Sequence, residues 1–487
     1  MKIRPASFLC FLILMAISVF VSQKIEYRSY LRAFSGVEPG RVALIAASGN
    51  ASAKALIICS HGTNSHKEVF LPIATIMALQ GAESIIIDSS ILSTDEGISK
   101  RVEEIHNVKS ALTEGRRSSS NVIALGHSDG GPPSLAFLSA TASNSGAVLI
   151  LGSQLSERIP PGIPTRGFVG GFDQIFPAAD VINDFRKNVG SSDSVRVSWL
   201  SDHFTEQYDP ILLSALSDAI CGKNSISPFK VGLGLLAFAV AIVLALAAGM
   251  VTGAPDGERR CYAWGIALFV WITLGSGGKE ILQNMPVPAV LLLFYQIGLN
   301  CGFVPGWNHL KPCLIFFVLM EINVVLGTAF FWENIGEALP WLPAFLLWYP
   351  VAWVCKLGLF GFSLMHRAFP AWMVDWNLPW LILTILPLII SRGIVPLCLG
   401  FLAPTALPGA AATALNFDKP DRHKQLRFAV VLMAVMVIFW VIRFSQGMIQ
   451  AEILQAVAGN FMRTLLLPCS YLIFLVLRRR NTPCKKC

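Results

Sequence analysis

The sequence predicts a mostly parallel α/β sheet with helices on both faces, followed by an all-α transmembrane domain. Three observations carry this. The 487 residues are only 14% charged and 54% hydrophobic, against about 25% charged in an ordinary soluble domain. The deficit is uneven: up to about residue 228 short apolar runs alternate with amphipathic stretches, and from residue 229 long apolar segments dominate. Within the first part, strand-like runs of four to eight residues alternate with helix-like ones, the pattern of a parallel sheet whose crossovers are helices. The expected domains are 1–22, a signal anchor or signal peptide; 23–228, the α/β domain; 229–480, about nine membrane spans; and 481–487, a tail.

The chain opens with Lys2 and Arg4, an apolar run over 8–21 and then Ser22-Gln23-Lys24. No small-x-small site follows the apolar core, which favours an anchor over a cleaved signal. In the globular part, 54–60 is a short apolar run stopped by His61-Gly62, hence a buried strand. Helical spacing over 67–79, a strand over 83–88 and an amphipathic helix over 97–114 come next, then a strand over 121–125. A helix over 131–140, strands at 146–151 and 166–170, a helix at 178–189, a strand at 195–200 and a helix at 210–219 complete the series. Functional residues of such sheets gather at the C-terminal ends of the strands.

Between the strand at 121–125 and the next helix stands Gly126-His127-Ser128-Asp129-Gly130. Gly-x-Ser-x-Gly at a strand-to-helix turn is a nucleophile elbow. Gly126 and Gly130 are needed where a Cβ would crowd the neighbouring strand and helix. A serine hydroxyl needs an adjacent base, and the base an orienting acid. On an elbow the order is Ser, then Asp or Glu, then His. Asp173 follows the strand ending at Gly170, and His203 follows the strand at 195–200, so both stand at C-terminal strand ends in that order. His203 is the only histidine between His127 and the membrane part. Asp180, Asp184 and Asp193 lie close in sequence but read as helix-face or turn residues, and Asp173 could alternatively cap the following helix. An oxyanion hole would take the N–H of Asp129 and one from the loop His61-Gly62-Thr63-Asn64, where Gly62 permits the turn and Thr63 is the candidate donor.

Residues 54–220, about a third of the chain, resemble the α/β-hydrolase superfamily in its esterase, lipase and dienelactone-hydrolase-like branch. The matching pieces are Ser60-His61-Gly62-Thr63, Gly126-His127-Ser128-Asp129-Gly130-Gly131, Gly171-Phe172-Asp173 with Pro177, and His203-Phe204-Thr205-Glu206. The resemblance implies Ser128 as nucleophile, His203 as base and Asp173 as acid, and a serine hydrolase cleaving an ester or thioester through an acyl-enzyme. It leaves open an acyltransferase using the same acyl-enzyme, or a transporter or receptor with an inactive hydrolase-like domain. Asp129 departs from the neutral residue expected after the nucleophile, since a carboxylate aimed at an oxyanion would oppose it. The segment 152–164 carries Pro160, Pro161 and Pro164 and reads as a stiff loop, leaving the pocket open.

Candidate spans are 229–251, 261–274, 287–304, 313–332, 341–359, 378–390, 394–412, 428–444 and 461–477. The stretch 378–412, broken at Ser391-Arg392-Gly393, counts as two spans or as a re-entrant pair. Lys2/Arg4, Arg259/Arg260, Lys311, Arg367, Lys419–Arg427 and Arg478–Arg480 then all fall on the cytoplasmic side, which places 23–228 opposite. Glu321 and Lys356 are ionisable groups inside spans and could pair. The formal net charge of +8 fits basic loops beside membrane segments, and no basic stripe with interleaved aromatics suggests nucleic acid. The eleven cysteines form no disulfide framework. Cys484-Lys485-Lys486-Cys487 has no second pair, so no metal site is expected, and no cofactor is called for. The expected partners are the membrane and an ester or thioester substrate, lipid or lipid-linked by virtue of the tether. An open pocket close to the 229 span suggests that the membrane part covers it or delivers a lipid-soluble substrate, while residues up to about 224 keep turnover of small soluble esters.

Overall fold

The computed structural model describes residues 5–30, 33–37, 41–48, 53–62, 66–88, 95–113, 121–141, 146–155, 159, 162–173, 175–190, 194–222, 225–252, 286–301 and 335–374. Its centre is an eight-stranded mixed sheet. The strands are β1 (Ile25–Tyr30), β2 (Val42–Ala47), β3 (Leu56–Ser60), β4 (Glu83–Ile87), β5 (Val122–His127), β6 (Ala147–Leu151), β7 (Thr165–Gly170) and β8 (Val195–Ser198). They lie in the order β1-β2-β4-β3-β5-β6-β7-β8. From β4 to β8 every pairing is parallel. β1 and β2 pair antiparallel, and β2 joins β4 antiparallel. Neither was predicted, because the sequence reading began its strands at residue 54.

The period of two along each strand divides the core. Ile57, Cys59, Ile123 and Leu125 enter one apolar cluster, and Leu56, Ile58, Val122 and Ala124 enter the other. The second cluster is closed by α3 (Asp95–Thr113), α4 (Gly131–Thr141) and α5 (Ala178–Asn188). The first is closed by α2 (Leu71–Leu79), which continues a 3-10 turn over Lys67–Phe70, and by α6 (Pro210–Cys221). Helices therefore cover both faces, as the alternation predicted. Asp209 caps α6, its carboxylate accepting from the Ile211 and Leu212 amides.

The first cluster runs on without a break into four further helices: α1 (Pro5–Ser22), α7 (Pro228–Thr252), α8 (Pro286–Cys301) and, after the one-turn α9 (Ile335–Ala338), α10 (Leu342–Val374). Phe11 of α1 stacks on Tyr295 of α8 at 3.8 Å. By Cα proximity residues 1–304 and 343–387 form one compact unit; 305–342 and 388–487 form a second, of which 335–342 are described. Two helical stretches, Pro228–Gly249 and Gly336–Leu359, are long and apolar enough to cross a membrane. They match the expected spans 229–251 and 341–359. In α8, within the expected span 287–304, the described apolar stretch is Pro286–Tyr295. The expected spans at 261–274, 313–332, 378–390, 394–412, 428–444 and 461–477 lie outside the described residues.

Candidate active site

The elbow forms where the sequence put it. β5 ends at His127, a 3-10 turn takes Ser128–Gly130, and α4 starts at Gly131. Ser128 has φ of 53° and is the only described non-glycine residue at positive φ. A serine in that region costs on the order of 1–3 kcal/mol and persists only where its surroundings hold it. The glycines show what holds it. A Cβ on Gly126 would lie 2.3 Å from the Gly130 carbonyl oxygen, and one on Gly130 would lie 2.0 Å from that of Ser60. A Cβ on Gly62 would sit 2.9 Å from Ser128 Oγ. The turn, strand β3 and the loop after it are thus in backbone contact, with no room for side chains.

His203 Nε2 lies 3.1 Å from Ser128 Oγ, and His203 Nδ1 donates to Asp173 Oδ2 at 2.8 Å. A carboxylate only accepts, so the ring proton sits on Nδ1 and the Nε2 lone pair faces the serine hydroxyl. Asp173 Oδ1 accepts from the amides of Ile175 and Phe176, each at 2.8 Å. Asp173 therefore braces its own loop with one oxygen and the histidine with the other; it does not cap α5, whose N-cap is Pro177. Asp180 and Asp184 both lie on α5, and Asp193 falls outside the described residues. Both His203 and Asp173 are buried, and Ser128 is half-buried.

Thr63, the expected oxyanion donor, lies outside the described residues, and the loop after β3 is seen only at His61 and Gly62. His61 Nε2 is 2.6 Å from Asp88 Oδ1 and Nδ1 is 2.7 Å from the Gly62 carbonyl oxygen, fixing the ring between two strand ends. Arg101 of α3, which sequence reasoning did not single out, is buried and donates to the carbonyls of His61 and Asp129 at 3.3 and 3.2 Å. It ties the elbow to the β3 loop. Burial depresses its guanidinium pKa, while the charges of Asp129 and Glu104 hold it up. The Asp129 carboxylate thus has a cation to answer it, which bears on the departure noted in the sequence.

Glu206 was quoted in the sequence only as part of a matching string. It is fully buried beside His127 and Asp173. Its Oε1 accepts from the Gly170 amide at 2.6 Å, and its Oε2 lies 3.5 Å from His127 Nε2. A Cβ on Gly152 would fall 2.0 Å from Oε2, so that glycine makes the space. Burial and then the Asp173 charge push the Glu206 carboxyl well up, toward the neutral acid. The His127 ring stacks on His203 with centroids 5.0 Å apart. Burial, then the neighbouring His203, push its pKa well down, keeping it neutral. His127, His203 and Glu206 bring ligand atoms within 4.8 Å of one another. A divalent ion there would take a nitrogen from His203, whose two nitrogens already face Ser128 and Asp173.

The loop carrying His203 is stapled by Asp202. Its Oδ1 accepts from the Phe204 amide at 3.1 Å and from Thr205 Oγ1 at 2.6 Å. Burial holds its pKa above the usual carboxylate range, partly offset by the bond from Thr205, the charge of Lys356 and the bond from Tyr349. Lys356 donates to the Phe204 carbonyl at 2.6 Å and lies over the rings of Phe204 and Trp353. Glu321, its expected partner, lies outside the described residues. The described parts of 152–164 contain no helix, in keeping with a loop. No protein-family model matches this chain, and a search of curated proteins found no match.

Proposed function

We propose that the chain is a membrane-bound serine hydrolase of the α/β-hydrolase kind, cleaving an ester or thioester through an acyl-enzyme at Ser128. The observation that carries this is the continuous path Ser128 Oγ–His203 Nε2–Asp173, at 3.1 and 2.8 Å, built on a serine at φ 53°. Ser128 Oγ attacks the carbonyl carbon while its proton passes to His203 Nε2; Asp173 steadies the imidazolium. The proton then goes to the leaving alcohol or thiol. Water, deprotonated by the same nitrogen, releases the acid. The Asp129 N–H, following the nucleophile, and Thr63 are the oxyanion donors of this scheme.

Membrane residence is supported by α7, whose exposed Phe229, Leu233, Leu236, Val240 and Val243 recur at helical spacing along one stripe. Large apolar side chains in such a row mark an apolar surrounding. A multi-pass topology, with residues 23–228 on the non-cytoplasmic side, rests on the basic residues flanking the expected spans. The test is labelling by a fluorophosphonate probe, which needs an activated serine. The parent chain is expected to label, and Ser128→Ala to lose labelling and about 10⁴- to 10⁶-fold in ester turnover. Undiminished turnover by Ser128→Ala would overturn the assignment.

A further inference from the structure

Phe345, Tyr349, Ala352 and Lys356 recur along one face of α10. That face meets both loops that carry the base and the acid. Phe345 stacks on Phe172, the residue before Asp173, with centroids 4.1 Å apart. Tyr349 Oη donates to Asp202 Oδ2 at 3.0 Å, and Lys356 donates to the Phe204 carbonyl at 2.6 Å. Trp348, beside this face, donates from Nε1 to the Tyr208 carbonyl at 3.0 Å. The two residues that flank His203 in sequence, Asp202 and Phe204, are therefore both held from α10.

The turn over 202–205 explains why this matters for His203. Asp202 Oδ1 already bridges across His203 to Phe204 and Thr205. Its other oxygen is the one Tyr349 reaches. Beyond the histidine, Phe204 is buried and its carbonyl accepts from Lys356. Each bond pins a backbone segment one residue from the base. Positioning at this level is worth a great deal: a misplacement of about 1 Å costs on the order of 10²-fold in rate.

We propose that α10 is a working part of the active site, with Tyr349 and Lys356 as positioning residues that set His203 against Ser128. The inference rests on the hydrolase reading above. It also reverses the sequence expectation for small esters: residues up to about 224 lack both contacts and form an incomplete site.

The test uses the full chain in lipid nanodiscs, with a short-chain aryl ester as substrate. The variants are Lys356→Met, Lys356→Arg, Tyr349→Phe and, as a control on the exposed side of α10, Leu347→Ala. Lys356→Met is expected to lower kcat on the order of 10- to 100-fold, with KM within about two-fold, because the substrate's own contacts are kept. Lys356→Arg keeps a donor and is expected to restore most of the loss. Tyr349→Phe is expected to cost about 10-fold, and Leu347→Ala nothing. Melting temperature is read alongside, to correct for folded fraction. If kcat per folded molecule is unchanged in Lys356→Met and Tyr349→Phe, or if Lys356→Arg is no better than Lys356→Met, the positioning role is wrong. A parent chain that neither labels with a fluorophosphonate nor turns over ester overturns the hydrolase reading, and this one with it; a parent that labels while its variants match it overturns this one alone.

Discussion

Helices α7 and α10 both contain a stretch long and apolar enough to cross a membrane, and α7 is the more apolar. Their neighbours differ. α7 turns Val231, Leu235, Ala239, Ile242 and Ala245 into the core and leaves its opposite stripe exposed. α10 spends Tyr349 and Lys356 on the loop around His203. The lower apolarity of α10 comes in part from the residues that reach the loop around His203. A hydropathy reading measures the medium a helix meets along most of its surface. It does not separate an ionisable residue placed to pair inside the bilayer from one placed to hold a catalytic loop. Lys356 was singled out for the first reason; its partner there, Glu321, lies outside the described residues, and its described bond is to the Phe204 carbonyl beside His203.

The largest effects should come from emptying the buried side of each helix. Phe345→Ala is expected to cost about 3–5 kcal/mol and Ile242→Ala about 2–5 kcal/mol, both read as falls in melting temperature. The comparison lies in what accompanies the fall. Ester turnover per folded molecule should drop on the order of 10-fold in Phe345→Ala, whose ring braces the Asp173 loop, and stay level in Ile242→Ala. Equal turnover in the two would erase the distinction between the helices. A charge on the outer stripe of α7 is next. Val240→Lys should cost about 2.5–3.5 kcal/mol if the stripe faces lipid, against about 0.5 kcal/mol or less at an aqueous surface. Melting temperature of the full chain in lipid nanodiscs reads it; an unchanged value in the variant would argue that the stripe is not in hydrocarbon.

The smallest effect concerns Glu206, on the far side of the turn that α10 holds. Its folded pKa is raised by burial and by Asp173. As pH climbs past about 4.3, the unfolded chain gives up this proton while the folded chain keeps it, so stability falls with rising pH up to the folded pKa. Glu206→Gln has no proton to lose. Its melting temperature should equal the parent's near pH 4 and exceed it at pH 7. A difference that is the same at both values would mean the effect is packing alone.

Strands β3, β5 and β6 were legible because they are buried on both faces and so read as short apolar runs; the edge strand β8, Val-Arg-Val-Ser, is mostly half-buried and was legible from its alternation. The elbow was legible because its glycines are forced by backbone contacts under 3 Å. β1 and β2 were not. β2 is half alanine, a poor strand former. β1 alternates Glu26 and Arg28 with Tyr27 and Ser29, and that period of two was the available signal. Asp173 and His203 followed from chain order on a known type of turn. Arg101, Glu206 and Tyr349 did not, because their roles come from contacts between residues far apart in the chain, 147 positions in the case of Tyr349 and Asp202. No local pattern marks them.

Phe204 and Lys356 are 152 positions apart, and on a ribosome that separation is a delay. At about 5–20 residues per second, roughly 8–30 seconds pass between the synthesis of the two. For that interval the sheet strands, the turn at Ser128, Asp173 and His203 have been made, and the helix proposed to set His203 has not. On the positioning role proposed for α10, the growing chain would be a hydrolase that does not yet work. It would become one only after the helices from α7 onward have been made, so on that proposal no ester would be turned over before α10 is in place.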